Sequence, residues 1–241
     1  MIPNILHFVW LTLDAEHNSL PDYAIRNLNI ALLNTAFDIY IHSNKNISYP
    51  KHPRITFILS DVEFTIKGIP FVEDNPKYSG KNGKRIAHIS DIFRLEVLYK
   101  YGGVYSDFDV LWLRNPWEYM DNKLVIGYSN KTYKILCNAV MMSEKEHPCI
   151  LEYKNWLVDI YPCPKYWIPA NPYKLWKDKK NITFVDKHIF FPIKWNQTSN
   201  LTLDKIHKSI AVHEFASNQS CFTGEVYDKL ITLINSIPKK S

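Results

Sequence analysis

Between Ile86 and Leu113 a helical pattern, two glycines and an apolar run carrying two carboxylates follow one another without a break. Ile86, Ile89, Phe93, Val97 and Tyr101 recur at three-to-four spacing, Leu98 widens the stripe, and the pattern predicts a helix over 86–101. Gly102 and Gly103 then stop it, because glycine takes the left-handed conformation of a helix C-cap without steric penalty. Val104 to Leu113 is rich in Val, Tyr, Phe, Leu and Trp, the residues of a buried strand. On such a strand Asp107 and Asp109 would point to one face, their Cα atoms roughly 6–7 Å apart. Two carboxylates in so apolar a setting are costly unless something positive joins them, and a divalent cation with oxygen ligands suits the need. On the preceding helix Asp91 and Arg94 are neighbours on one face. They read either as a surface ion pair or as polar groups reaching the same cavity as the carboxylates.

The rest of the chain reads as a frame around this stretch. Asn4 to Leu11 is a near-continuous apolar run, as in a central strand covered on both faces, with His7 and Trp10 its unusual members. Trp10 is either a core tryptophan or a ligand contact, since ligands bind at the carboxyl ends of strands in open α/β sheets. Leu20 to Leu33 carries a helical stripe that opens at Pro21, and Phe37–His42 and Ile55–Leu59 alternate like strands. Strand, helix, strand, strand opens an α/β domain. Residues 60–85 read as irregular; within them Tyr78–Arg85 has the composition of a phosphate cradle without its spacing and reads as a mobile loop able to close over a ligand. Further strands are expected at 124–128, 135–142, 182–185, 188–192 and 210–215, the last carrying His213, with a helix over 149–160 and a closing amphipathic helix over 226–237. The proline- and aromatic-rich segment 161–173 reads equally as a wall for a sugar ring or as irregular packing. No repeat or linker interrupts the chain, which is expected to form one domain over 1–241.

Composition narrows the partners. The formal net charge of +5 and the pI near 8.8 suit weak attraction to nucleotide phosphates or acidic lipids. Without a basic block or recognition motif, nucleic acid is not expected as a partner. Cys137, Cys149, Cys163 and Cys221 form no CxxC pair and no zinc spacing, and read as reduced thiols of a cytosolic protein. There is no signal-like N-terminus and no run near the ~20 apolar residues of a membrane span, so a cytoplasmic location is expected, the host's cytoplasm for a viral chain. The Asn-x-Ser/Thr triplets at Asn46, Asn130, Asn181, Asn196, Asn200 and Asn218 then read as by-products of an Asn-rich, AT-rich coding sequence. The Lys239-Lys240 end leaves room for peripheral membrane contact; the oligomeric state is open.

Three stretches together resemble one family. They are Ile2–Leu11, the block from Ser90 to Asp109 with its helix, diglycine and Asp-x-Asp, and Asn138–Met142 followed by His147-Pro148. Over about residues 2–150 the chain resembles the DXD-containing glycosyltransferases of family 32, relatives of the catalytic domains of large clostridial glucosylating toxins. The resemblance implies a GT-A fold with a mixed, mainly parallel sheet, a nucleotide-sugar donor (UDP-sugar ahead of GDP-sugar), manganese or magnesium, and transfer of a hexose to a glycan hydroxyl with retention. It also implies two halves, 1–115 holding nucleotide-sugar and metal, 116–241 holding the acceptor. Residue by residue, Asp109 matches the direct metal ligand and Asp107 the residue at the ribose and the metal shell. Asp91 and Arg94 match the family's holders of donor sugar and nucleotide, Trp10 the residue that stacks on the base, and Val9 its neighbour whose backbone reads the base. Asn138 is expected near the anomeric carbon, on a same-face attack by the acceptor. Family members carry a His followed by a Ser-Trp pair near the metal; here Val212–Ser220 has His213 but no Ser-Trp, and His213 stays open between a metal or diphosphate contact and a core histidine. Three other readings stand beside this one: a toxin-like enzyme acting on protein side chains, a non-catalytic module that binds nucleotide-sugar or glycan, and a metal-dependent hydrolase, for which an Asp pair without a His cluster is thin.

Overall fold

The structure, a computed structural model, describes residues 1–12, 18–60, 82–160, 171–193, 202, 206–214 and 231–232. Its frame is a seven-stranded sheet in the order β3-β2-β1-β4-β7-β6-β8. The strands are β1 (Ile5–Trp10), β2 (Asp38–Ser43), β3 (Ile55–Leu59), β4 (Gly103–Ser106), β6 (Leu124–Asn130), β7 (Ile135–Ser143) and β8 (Thr183–Val185). β3, β2, β1 and β4 run parallel, β7 is antiparallel to both β4 and β6, and β8 is parallel to β6. A separate antiparallel pair joins β5 (Val110–Trp112) to β9 (Ala211–His213). The chain builds outward from β1 through β2 to β3, then returns to place β4 on the other side of β1. The strand order therefore reverses between β1 and β4, where a parallel sheet opens a crevice at its carboxyl ends.

Each face of the sheet buries its own apolar cluster. On β1, Leu6 and Phe8 go to one side and Val9 to the other, the alternation that a strand covered on both faces requires. Helix α1 (Asp22–Asn34) covers the first face with Ala24, Leu28 and Ala31. Helices α2 (Asn82–Tyr101) and α3 (Pro148–Ile160) pack together over the second, with Ile92, Leu95, Leu98, Ile150, Tyr153 and Leu157. α1 ends without a glycine: Arg54 reaches back and donates to the carbonyls of Leu32, Thr35 and Phe37, satisfying acceptors that a helix end leaves open. Two short helices, α4 (Tyr173–Trp176) and α5 (Lys187–Phe190), finish the described elements.

The mixed, mainly parallel α/β sheet is the one expected, and three local expectations are corrected. The Asp-x-Asp run is not a strand. β4 ends at Ser106, and residues 107–109 form a turn closed by the Val110 amide donating to the Asp107 carbonyl at 3.2 Å. The apolar residues on either side serve two different sheets, β4 in the large one and β5 in the small one, so one hydrophobic run covers a change of sheet. Residues 188–192 are not a strand either. Lys187–Phe190 is one helical turn with Phe190 buried, and bulky apolar residues signal burial in either conformation. The helix expected from Ile86 opens earlier, at Asn82, so the end of the expected loop is helical; the expectations for residues 61–81, 161–170 and most of 226–237 lie outside the described residues. Among the described residues no helix is long and apolar enough to cross a membrane.

Candidate active site

The crevice between β1 and β4 holds the expected residues. The turn 107–109 projects Asp107 and Asp109 toward β9, which runs antiparallel to β5 with His213 opposite Val110. The Glu214 amide continues that ladder by donating to the Asp109 carbonyl at 2.7 Å. His213 Nε2 lies 3.1 Å from Asp109 Oδ1, and one ligand atom from each of Asp107, Asp109 and His213 falls within 4.8 Å of the others. The Asp107 and Asp109 side chains keep 26% and 14% of their surface open, enough for a ligand to reach them.

Behind this trio lies a buried ionic cluster. Arg94 places its guanidinium 3.0 Å from Asp91 Oδ1 and 3.1 Å from Asp107 Oδ1. It also donates to the Asn138 carbonyl at 2.9 Å, while the Asn138 amide donates to Asp91 at 2.8 Å. The helix that precedes the acidic turn is thus locked to it and to β7. Asp91 and Arg94 are 8% and 5% exposed, so this is no surface pair. Breaking such a cluster by removing one partner costs about 3–5 kcal/mol, because the other charges stay buried. Tyr105 completes it, donating its hydroxyl to Asp107 Oδ1 at 2.5 Å while Arg94 lies over its ring at 4.6 Å. Burial first, and the neighbouring carboxylates after it, hold the Tyr105 hydroxyl well above its usual pKa, so it remains a donor.

The protonation pattern fits a cation site. Burial raises the Asp107 pKa; Arg94 opposes this and Asp109 adds to it. Burial works against the His213 imidazolium, yet the Asp109 charge and hydrogen bond, with Asp107 behind them, raise its pKa. Both shifts follow from a site where three carboxylates face one guanidinium. A divalent cation would cancel the excess negative charge, and its binding would oppose protonation of its ligands. Two carboxylates and an imidazole together suit a divalent cation of hard or borderline character. Asp107, Asp109 and His213 are the residues that could hold it.

Trp10 and Val9 stand at the end of β1, one strand away. Trp10 meets the acidic turn edge-on through Phe108, with centroids 5.9 Å apart, and Phe108 stacks on Phe8 at 4.7 Å. Trp10 Nε1 is buried with no hydrogen-bond partner among the described residues. Val9 is buried on the opposite face. The segment after Trp10 is fixed by Asn44, which accepts from the Thr12 amide at 3.0 Å and donates to its carbonyl at 2.8 Å.

Several residues around the site escaped the sequence reading. Tyr105 passed as a strand former. Buried Asn27 and Glu214 and half-buried Arg26 form a group against the acidic turn: one terminal nitrogen of Arg26 donates to both Glu214 oxygens at 2.9 and 2.8 Å, and Asn27 donates to Phe108 O and Glu214 Oε2, both at 2.9 Å. A signal existed for Asn27, because Ala24, Asn27, Leu28 and Ala31 share the buried stripe of α1.

The family model described as a glycosyltransferase sugar-binding region containing a DXD motif matches residues 18–131, which include Asp107 and Asp109. No curated protein sequence matches the chain. Among solved structures, the galactosyltransferase LgtC in complex with donor and acceptor sugar analogs is 15% identical over 98% of this chain and 97% of its own, with a TM-score of 0.56. The PaToxG glycosyltransferase is 15% identical over 98% and 86%, with a TM-score of 0.50. At that identity the likeness speaks for the fold, which is GT-A.

Proposed function

We propose that this chain, a glycosyltransferase of GT-A fold with a DXD-type sugar-binding region, moves a hexose from a nucleotide-sugar to a hydroxyl of a glycan acceptor, with a divalent metal and with retention of configuration. The observation that carries the reading is the meeting of Asp107, Asp109 and His213 within 4.8 Å at the crevice where the sheet order reverses. Asp109 and His213 would hold the metal, manganese ahead of magnesium, with Asp107 completing the site and turned to the ribose. When bound, the metal would neutralise the charge that gathers on the nucleoside diphosphate as it leaves.

The chain's own residues divide the remaining work. Arg94, fixed by Asp91 and Asp107, is preset to offer positive charge to the donor without reorganising, which is where electrostatic catalysis gains most. Asp91 and Asn138 form the wall of the donor-sugar pocket, Asn138 on the side of the anomeric carbon. Trp10 gives a ring face to the base, a uracil ahead of a guanine, and Val9 gives backbone groups. Residues 1–115 form the donor half and 116–241 the acceptor half of one domain. With Asp107 and Asp109 taken up by the cation, we favour same-face attack by the acceptor hydroxyl over a covalent sugar–enzyme intermediate.

A panel of UDP- and GDP-hexoses with manganese tests the reading through release of the nucleoside diphosphate. We expect turnover with a UDP-hexose, its loss in EDTA, and loss of at least a hundredfold in Asp109→Asn with the fold intact. Turnover that ignores EDTA, or an Asp109→Asn variant as active as the wild type, would overturn it. The anomeric configuration of the product, read by NMR, checks retention.

A further inference from the structure

Position 27 is an unexpected place for an asparagine. It lies inside α1, where Asn is a poor helix former because its side chain competes for backbone groups. It is also fully buried, on the stripe that faces the core. A buried amide must find partners or cost about 1–3 kcal/mol. Asn27 finds two acceptors, the Phe108 carbonyl and a Glu214 carboxylate oxygen, each at 2.9 Å. Two acceptors on one side-chain atom fix the orientation of the amide, since only its NH2 can donate to both. The two acceptors are informative in themselves. Phe108 is the middle residue of the Asp107–Asp109 turn, and Glu214 follows His213. The two segments also meet directly, through the Glu214 amide and the Asp109 carbonyl.

We propose that Asn27 is a positioning residue for the cation site, one amide that ties the turn bearing Asp107 and Asp109 to the strand end bearing His213. This rests on the metal-site reading above. The ligands come from segments 104 residues apart in sequence (Asp109 to His213), and a two-stranded sheet is marginal by itself. Asn27 anchors both segments to a helix of the main body. Arg26 supports the same arrangement: one of its terminal nitrogens donates to both Glu214 oxygens and holds that carboxylate toward Asn27. With the amide removed, Phe108 O and Glu214 lose a donor together, and the turn and strand end are free to settle separately. The ligand set would then have to be gathered by the metal itself, at a cost in affinity.

The same helix supplies a matched control. Asn34 also donates its amide to a carbonyl of the small sheet, Trp112 O at 3.0 Å, but at the end of β5 away from the acidic turn. A merely structural role would make Asn27 and Asn34 substitutions alike. The test titrates Mn2+ alone into the full chain and follows the loss of the free-ion signal by electron paramagnetic resonance, for wild type, Asn27→Ala, Asn27→Ser and Asn34→Ala. Circular dichroism and melting confirm the fold of each. We expect Asn27→Ala to weaken Mn2+ binding tenfold or more, Asn27→Ser to fall between it and wild type, and Asn34→Ala to stay within twofold of wild type although it melts earlier. Should Asn27→Ala not fold, the Ser variant carries the comparison. Equal Mn2+ affinity in folded Asn27 variants and wild type overturns the proposal, as does a loss in Asn34→Ala as large as theirs. A wild-type chain that takes up no Mn2+ overturns the metal reading and this proposal with it, in a sample where Asn27 is untouched, so the two failures are told apart.

Discussion

His7 shows how a single residue's hydrogen bonds fix its chemistry. Its Nε2 lies 2.8 Å from the Gly102 carbonyl and its Nδ1 3.0 Å from His42 Nε2. The carbonyl only accepts, so His7 carries its proton on Nε2, and His42 must donate from Nε2 to the bare Nδ1 of His7. A proton on either ring's remaining nitrogen would add a buried charge. Burial lowers the His7 pKa to about 4 despite the Gly102 bond; burial, then the charges of His7 and Lys100, lower that of His42 to about 2. Unfolded, both titrate near 6.5. Below that pH the unfolded chain binds protons that the fold refuses, so stability is full above about 6.5 and falls as the pH drops toward 4, by about 1.4 kcal/mol per pH unit for each histidine. Denaturant melts at pH 7, 6 and 5 measure the slope. His42→Gln keeps a donor toward His7 and removes one titration, so its slope should be shallower by about 1.4 kcal/mol per unit; parallel slopes would refute the assignment. The sequence made Asp107, Asp109, Asp91 and Arg94 legible because charged residues inside apolar runs need explaining. Asn27 and Tyr105 were hidden for the opposite reason: each has a bland structural reading, and its partners, Glu214 and Asp107, are fixed only by the fold.

At the scale of elements, the diglycine is the joint that hands α2 to β4. Gly102 and Gly103 both have positive φ, 65° and 96°. At Gly103 a Cβ would fall 2.7 Å from the Ile5 carbonyl and 3.0 Å from His7 Nε2. The glycine therefore serves backbone conformation and the close approach of β1 and β4 together. Gly103→Ala would strain the turn and push apart the two strands that flank the crevice. We expect a loss of about 2 kcal/mol or more in stability, with weaker Mn2+ binding, because Asp91, Arg94 and Asp107 hang on the two elements the joint connects. A melting curve and a Mn2+ titration check it, and an alanine variant within a degree of wild type would remove this role. Element types were largely legible, since the 3.6-residue stripe of α2 and the alternation of β2 and β3 follow from burial on known faces. The acidic segment was misread because periodicity reports burial and not which sheet receives it. Val104 and Val110 are equally buried, one in β4 and the other in β5.

For the molecule as a whole, what the sequence could not give is the return of the chain. Nothing local in Ala211–His213 says that it pairs with β5, yet that pairing sets His213 beside Asp109 and brings segments 104 residues apart to one site. A cation held by Asp107, Asp109 and His213 would tie residues from the centre of the main sheet to the small sheet near the C-terminal part of the chain. Binding of that kind stabilises only the folded state, by about 2.7 kcal/mol when the ion is at a hundred times its dissociation constant. For a chain of this length that converts to a rise of roughly 5–11 °C in melting temperature. Mn2+ should produce it, EDTA should reverse it, and Asp109→Asn should abolish it while melting normally without metal. A UDP-hexose should raise the melting temperature further when Mn2+ is present and little when it is absent, because the diphosphate needs the cation between itself and two carboxylates. A donor that stabilises equally with and without Mn2+ would place its phosphates elsewhere, on lysines or backbone amides, and the Asp107, Asp109 and His213 group would then have to be read as structural.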